Sequence, residues 1–133
     1  MKIISDEIKE SLRPVLKKYA DRVVFAYLFG SAAKGETTPL SDIDIAVFIN
    51  PKFKDTFFDI RLSLYSEICR ALKTNNVDMV LLNTAGNLML LGDIIRNGIV
   101  IYDSDQDARE EYEVNILHTS IDFKTQRFAV MGI

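Results

Sequence analysis

Apolar residues recur along the chain with two periods, one typical of helices and the other typical of strands. Helical spacing covers residues 5–20, and Pro14 interrupts it, so this helix either kinks at Pro14 or begins near Ser11. A second helical face runs from about residue 55 to residue 73. A third helix is predicted over residues 87–97, where Gly98 is well placed as its C-terminal cap.

Four shorter runs are rich in β-branched and aromatic residues and predict strands. They are residues 23–29 (VVFAYLF), 42–49 (DIDIAVFI), 77–83 (VDMVLLN) and 99–103 (IVIYD). Ser104 and Asp107 form a capping pair for a last helix that extends to about His118. The order α-β-β-α-β-α-β-α predicts an α/β (α+β) fold, with a small mixed sheet flanked by helices, in a single domain over residues 1–133.

Composition and charge narrow the function classes. A net charge of −3 argues against a broad basic face for nucleic acid, so no direct nucleic-acid binding is expected. No apolar run is long enough to cross a bilayer, and the first residues turn polar at once, without the core of a signal peptide. Cys69 is the only cysteine and is expected to be a small buried residue. A cytoplasmic protein without a membrane partner is therefore expected.

Carboxylates occur inside two of the predicted strands, where a charge is costly unless something pairs with it. Asp42 and Asp44 are two residues apart, so both project to the same face of their strand. Asp78 lies in another apolar run and converges with them if the two strands are neighbours. Hard oxygen ligands of this kind suit Mg²⁺ or Mn²⁺, and three of them around two ions suit in-line displacement at phosphorus.

A Gly-Ser turn follows the first strand and supplies a candidate phosphate site. Gly30 lets a phosphate approach the backbone closely, and Ser31 adds a hydroxyl donor. A helix that begins around residues 32–34 would direct its N-terminus at the same anion. Lys34 could reach the phosphates as a point charge, although it is about equally well read as a simple surface lysine.

The segment GSAAKGETTPLSDID resembles the signature of the DNA polymerase beta-type nucleotidyltransferase superfamily, which is Gly-Ser, about ten residues, then Asp-x-Asp. Gly30, Ser31, Asp42 and Asp44 match it, and Asp78 stands where the family carries a third carboxylate. Within this superfamily the short chain resembles the minimal nucleotidyltransferases, which are the MNT antitoxins encoded beside HEPN toxins. Where the family motif commonly reads Ala-Arg-Gly, this chain has Ala-Lys-Gly, which keeps the charge but not the bidentate phosphate contact.

This resemblance implies an Mg²⁺-dependent enzyme that transfers AMP from ATP to a tyrosine of a HEPN RNase toxin and so silences it. Asp42, Asp44 and Asp78 would then be catalytic and would hold the metal, while Gly30, Ser31 and Lys34 would bind the nucleotide. Two alternatives stay open. The chain could neutralise the toxin by binding alone, or it could modify a hydroxyl of a small molecule.

A minimal domain has no second lobe with which to hold its acceptor, so part of its own surface must serve this role. The candidate surface is the exposed face near the three carboxylates together with an irregular C-terminal segment over residues 121–128. In that segment Phe123 and Phe128 could anchor an interface, with Lys124 and Arg127 at its rim. The alternative is that both phenylalanines pack against the core of the domain.

Overall fold

The predicted order of helices and strands is confirmed by a computed structural model. The structure describes residues 2–34 and 42–130, and it describes side chains for residues 5–34 and 42–119. A short 3₁₀ helix adds to the predicted set, and the helix expected after the Gly-Ser turn is present. The elements are α1 (Lys2–Lys18), β1 (Val23–Phe29), α2 (Gly30–Ala33), β2 (Ile43–Ile49), the 3₁₀ helix (Pro51–Thr56), α3 (Phe57–Leu72), β3 (Val77–Leu81), α4 (Leu88–Asn97), β4 (Ile99–Asp103) and α5 (Gln106–Val130).

The four strands form one mixed sheet in the order β3-β2-β1-β4. β1 is antiparallel to both of its neighbours, β2 and β4, whereas β2 and β3 run parallel. A parallel pair needs a crossover connection, and the 3₁₀ helix and α3 supply it. β3 is consequently an edge strand, and its first residues lie beside the first residues of β2.

Two apolar layers cover the two faces of the sheet. On one face α1 and α3 pack through Leu12, Leu16 and Leu64, none of which is more than 1% exposed. On the other face Leu91 and Ile94 of α4 contact the aromatic side of β1, together with part of α5. Strand residues alternate between these layers, so both faces of the central strands are buried.

A charged network fixes α5 to the sheet. The hydroxyl of the buried Tyr27 on β1 donates a hydrogen bond to Glu113 Oε2 at 2.6 Å. Arg109 bridges Glu113 and Asp103, at 3.1 Å and 2.8 Å. Burial is the first cause of a strongly raised pKa for Tyr27, and its hydrogen bond to Glu113 is the second. Tyr27 therefore stays protonated and acts as a donor.

Helix α1 runs through Pro14 as one element from Lys2 to Lys18. The predicted alternative, a start near Ser11, is wrong. Proline removes one backbone hydrogen bond within a helix. Here the apolar stripe Ile8, Leu12 and Leu16 is fully packed on both sides of Pro14, and this packing holds the helix across the proline.

The other boundaries differ from the prediction by a few residues. β2 begins at Ile43, so Asp42 lies just before it, and β3 ends at Leu81. Gly98 does cap α4, with its N–H donating to the carbonyl oxygen of Ile94 at 2.7 Å, in an extended conformation. The side chain of Asn83, beyond β3, exchanges two hydrogen bonds with the backbone of Ile49.

Two predictions for the last helix are wrong. The capping residue is Asp105, whose carboxylate accepts from the N–H of Ala108, while Ser104 donates its hydroxyl to the carbonyl oxygen of Val24. The helix also continues to Val130, so residues 121–128 are helical rather than irregular. No Gly or Pro occurs between residues 104 and 130 to end it. The side chains of Phe123, Lys124, Arg127 and Phe128 lie outside the described residues.

Cys69 is buried in the α3 layer, as expected. No helix in the described part of the chain combines the length and the apolar character that crossing a membrane requires.

Candidate active site

The candidate site lies at one end of the sheet, where β1 ends and both β2 and β3 begin. In the strand register, Asp44 on β2 is opposite Phe29 on β1 and Asp78 on β3. Neighbouring strands are about 4.8 Å apart, so Asp44 stands between the Gly-Ser turn and Asp78. The condition set by the sequence for Asp78 to approach Asp44, that their strands are neighbours, is met.

Gly30 begins α2 directly after β1, and its backbone has a positive φ of 71°. A methyl group at this position would stand 2.2 Å from Oδ2 of Asp44 and 3.1 Å from its Cγ. Two independent constraints therefore require glycine: the left-handed backbone, and the close approach of a carboxylate. The Asp44 carboxylate therefore lies directly against the Gly-Ser turn.

The surroundings of Asp44 raise the pKa of its carboxyl group. Burial is the first cause of its raised pKa, and the charges of Asp78 and then Asp42 raise it further. Each of these causes disfavours the negative form, and a nearby cation would reverse them. A cation bound beside Asp44 would therefore stabilise its charged form.

The three carboxylates differ in exposure. Asp42 and Asp78 are exposed, and Asp44 is partly buried between the neighbouring strands. Within residues 2–34 and 42–130, no three His, Cys, Asp or Glu side chains stand close enough together to form a ready-made metal cage. Mg²⁺ usually takes one or two carboxylates and completes its shell with water and substrate phosphates.

The predicted helix after the Gly-Ser turn exists, but it begins at Gly30 and has only four residues. So short a helix has a small dipole, and a phosphate here would depend on the N–H groups of the turn itself. Ser31 is partly exposed beside this turn. Lys34 ends α2 and is exposed.

An aspartate inside an apolar strand can be structural if it forms a buried ion pair, and Arg61 of α3 is the arginine near Asp78. The guanidinium of Arg61 instead donates to the carbonyl oxygen of Met79 at 3.2 Å. Asp78 is exposed and forms no ion pair with a described residue. Its carboxylate is therefore accessible from solvent.

Tyr65 of α3 is a neighbour of the site that the sequence did not indicate. Its pKa is raised first by its hydrogen bond with Cys69, and in smaller part by the charges of Asp78 and Asp42. The phenol therefore lies within electrostatic reach of both aspartates. The helical period identifies the buried face of α3 through residues such as Leu64. Tyr65 lies at the border of that face, so no sequence signal distinguishes it.

The family model for polymerase beta nucleotidyltransferases matches residues 10–107. The chain belongs to this family. The matched segment spans the Gly-Ser turn, the Asp-x-Asp pair and Asp78 together. No match was found among curated proteins.

Solved structures are similar to this chain over nearly its whole length. The chain is 26% identical to a protein in a toxin–antitoxin structure with AMP-PNP, with a TM-score of 0.74, over 93% of this chain and 95% of that one. It is 25% identical, with a TM-score of 0.68, to a chain in the structure of a tri-AMPylated Shewanella oneidensis HEPN toxin in complex with MNT antitoxin. That match covers 94% of this chain and 93% of the other.

Proposed function

We propose that this nucleotidyltransferase is the antitoxin of a HEPN/MNT pair, and that it transfers AMP from ATP to a tyrosine hydroxyl of a HEPN-domain RNase toxin. The observation that carries the proposal is the contact between the Gly30 turn and Asp44, beside Asp78. Structural neighbours that contain AMP-PNP or a tri-AMPylated HEPN toxin support both the nucleotide and the acceptor. Since ATP is the donor, we place the reaction in the cytoplasm.

The nucleotide would lie on the β1 side of Asp44. There the N–H groups of the turn after Gly30 and the hydroxyl of Ser31 would donate hydrogen bonds to the phosphates. Lys34, which is exposed at the end of α2, would add a positive charge if its side chain turns toward them. The positive φ of Gly30 keeps this approach free of a side chain.

Asp42 and Asp44 would hold Mg²⁺, for which Mn²⁺ could substitute. Asp78 would be the third carboxylate beside this metal site. Their hard oxygen atoms and the raised pKa of Asp44 support this assignment. When bound, two such ions would offset the charge of the triphosphate and favour loss of the acceptor proton. The remaining ligands would come from the nucleotide and from water.

In the proposed reaction the tyrosine oxygen of the toxin attacks the α-phosphorus of ATP. A new O–P bond forms, the bond from the α-phosphorus to the β-phosphate oxygen breaks, and pyrophosphate leaves. The tyrosine proton passes to the Asp78 carboxylate, whose exposure makes it accessible to an incoming hydroxyl. The products are the AMP-tyrosine ester and pyrophosphate.

Two rival functions predict something different. An antitoxin that acts only by binding has no need for a partly buried carboxylate held against a glycine turn, and that contact favours catalysis. A transferase for a small hydroxyl compound would need a surface that encloses its substrate, whereas Asp78 lies at the open edge of the sheet.

The decisive experiment combines the purified chain, Mg²⁺, ATP labelled at the α-phosphate and the product of the neighbouring gene, which the proposal expects to be a HEPN protein. Mass spectrometry of both proteins follows. We expect AMP on a HEPN tyrosine and loss of its RNase activity. Asp42→Asn should abolish transfer, whereas Asp6→Asn, which changes an exposed aspartate of α1, should not. Neutralisation without any label on the HEPN protein would instead support binding alone.

A second variant tests the role of Asp78. Asp78→Asn should lower the rate of transfer more than it weakens ATP binding, because a general base acts on the acceptor rather than on the nucleotide. Isothermal titration with Mg²⁺ and a non-hydrolysable ATP analogue measures the binding. If nucleotide affinity is lost while the residual turnover is normal, Asp78 is a nucleotide ligand and not the base.

A further inference from the structure

The outer face of α3 carries an apolar surface that the fold does not use. The side chains of Phe58 and Leu62 are 71% and 51% exposed, and they lie one helical turn apart. Among the described residues, only Met89 and Val114 are comparable large apolar side chains in solvent. Two such neighbours on one helix indicate a binding surface rather than a chance exposure.

This surface adjoins the third carboxylate. Phe58, Leu62 and Tyr65 line a depression of about 270 Å³ together with Asp78. Its floor is the open edge of β3, where Arg61 reaches from α3 to the carbonyl oxygen of Met79. The apolar side chains and the carboxylate therefore line the same depression. We call its apolar wall, formed by Phe58, Leu62 and Tyr65, the α3 ridge.

The order of groups across the sheet separates the two substrates. The Gly-Ser turn follows β1, Asp44 is on the next strand, Asp78 is on the edge strand, and the α3 ridge lies beyond it. A nucleotide on the turn would occupy the β1 side of this row. The side beyond β3 is left for the molecule that presents its hydroxyl to Asp78.

Building on the proposed function, we propose that the acceptor protein docks on the α3 ridge and presents its tyrosine to Asp78 from that side. The occupant is thus the acceptor protein, and not a second copy of this chain, because the ridge ends at the group that must receive the acceptor's proton. Its contact surface is apolar around the tyrosine.

The test uses Leu62→Asp and a matched control, Val114→Asp, on α5. The two native side chains are almost equally exposed, at 51% and 53%, so neither substitution buries the added charge. The affinity for the HEPN protein encoded beside this chain is measured by titration calorimetry, and AMP transfer is measured in parallel. We expect Leu62→Asp to weaken binding at least tenfold, which is about 1.4 kcal/mol, and to lower transfer accordingly.

Val114→Asp should bind and transfer as the unmodified chain does. Both variants should keep their melting temperature and their affinity for the Mg²⁺ complex of AMP-PNP. If Leu62→Asp loses stability, Leu62→Ala, which removes the contact without adding a charge, replaces it in the comparison.

The outcomes separate this inference from the function on which it rests. If the unmodified chain transfers AMP and Leu62→Asp transfers equally well, the ridge is not the docking surface, although the enzyme assignment stands. If the chain binds the HEPN protein without transfer and Leu62→Asp loses that binding, the docking surface stands and catalysis does not. If the HEPN protein is neither bound nor modified, or if Leu62→Asp only disrupts a dimer of this chain, the inference is overturned.

Discussion

The contact between Gly30 and Asp44 allows a quantitative prediction for Gly30→Ala. The new methyl group would stand 2.2 Å from Oδ2 of Asp44, whereas ordinary contact begins at 3.4 Å, so the carboxylate must retreat by about 1.2 Å. The left-handed backbone at Gly30 adds roughly 1–2 kcal/mol for any residue that has a Cβ atom. The substitution therefore affects both the stability of the fold and the position of the proposed metal ligand.

For a domain of this size, a loss of 1–2 kcal/mol corresponds to a fall of roughly 3–10 °C in the melting temperature. A displacement of about 1 Å at a catalytic group lowers the rate by roughly a hundredfold. We expect both effects in Gly30→Ala, measured by thermal unfolding and by transfer of labelled AMP to the HEPN protein. Gly86→Ala is the matched control, because its methyl group would meet nothing within 4 Å.

Combining Gly30→Ala with Asp44→Ala separates the two causes. Once the Asp44 carboxylate is removed, the steric part disappears and only the backbone part remains, so the stability cost of Gly30→Ala should be smaller than in the native background. If Gly30→Ala alone melts within 1 °C of the unmodified chain and transfers AMP at a normal rate, the reasoning about this contact is wrong.

Three further substitutions test other parts of the structure. Asp44→Asn should stabilise the metal-free protein near neutral pH, because burial raises the pKa of Asp44 in the fold and folding therefore binds a proton. The stability of the unmodified protein then falls as the pH rises above about 4, so in urea titrations the advantage of Asn should disappear below that pH. Tyr27→Phe removes the hydrogen bond to Glu113 and should cost about 1.5–3 kcal/mol in urea unfolding, with unchanged affinity for AMP-PNP. Asn83→Ala removes two hydrogen bonds to the backbone of Ile49 and should cost about 1–3 kcal/mol; an unchanged unfolding midpoint would show that water replaces them.

The sheet was readable from the sequence because its strands are dense in β-branched and aromatic residues. The observed bounds of β1 and β4 agree with the prediction, and β2 and β3 differ only at their ends. The end of α5 was not readable, because its pattern after His118 lacks a clear apolar stripe, and tertiary packing outweighs such weak local signals. Which of Ser104 and Asp105 caps α5 depended on the hydrogen bond from Ser104 to β1, a partner 80 residues away in the chain.

In the candidate site, too, some features were visible in the sequence and others depended on the fold. The residue types and the spacing of Gly30, Ser31, Asp42 and Asp44 are local and were visible in the sequence. That Asp78 is level with Asp44 follows from the strand register, and that Gly30 lies against the Asp44 carboxylate follows from the turn. Neither has a signature in the linear pattern. The α3 ridge was also hidden, since amphipathic spacing identifies the face that a helix buries and leaves its outer face unspecified.

Asp44 lies between Gly30, which follows β1, and Asp78 on β3. Asp44 lies on an inner strand and is partly buried, whereas Asp42 and Asp78 are exposed. Burial, and then the charges of Asp78 and Asp42, raise its pKa. A side chain at Gly30 would push it away from the turn and remove that proximity. Burial and the two neighbouring charges therefore disfavour the charged form of Asp44. A cation held there together with a nucleotide would offset both effects, and a glycine at position 30 leaves the carboxylate in place to bind it.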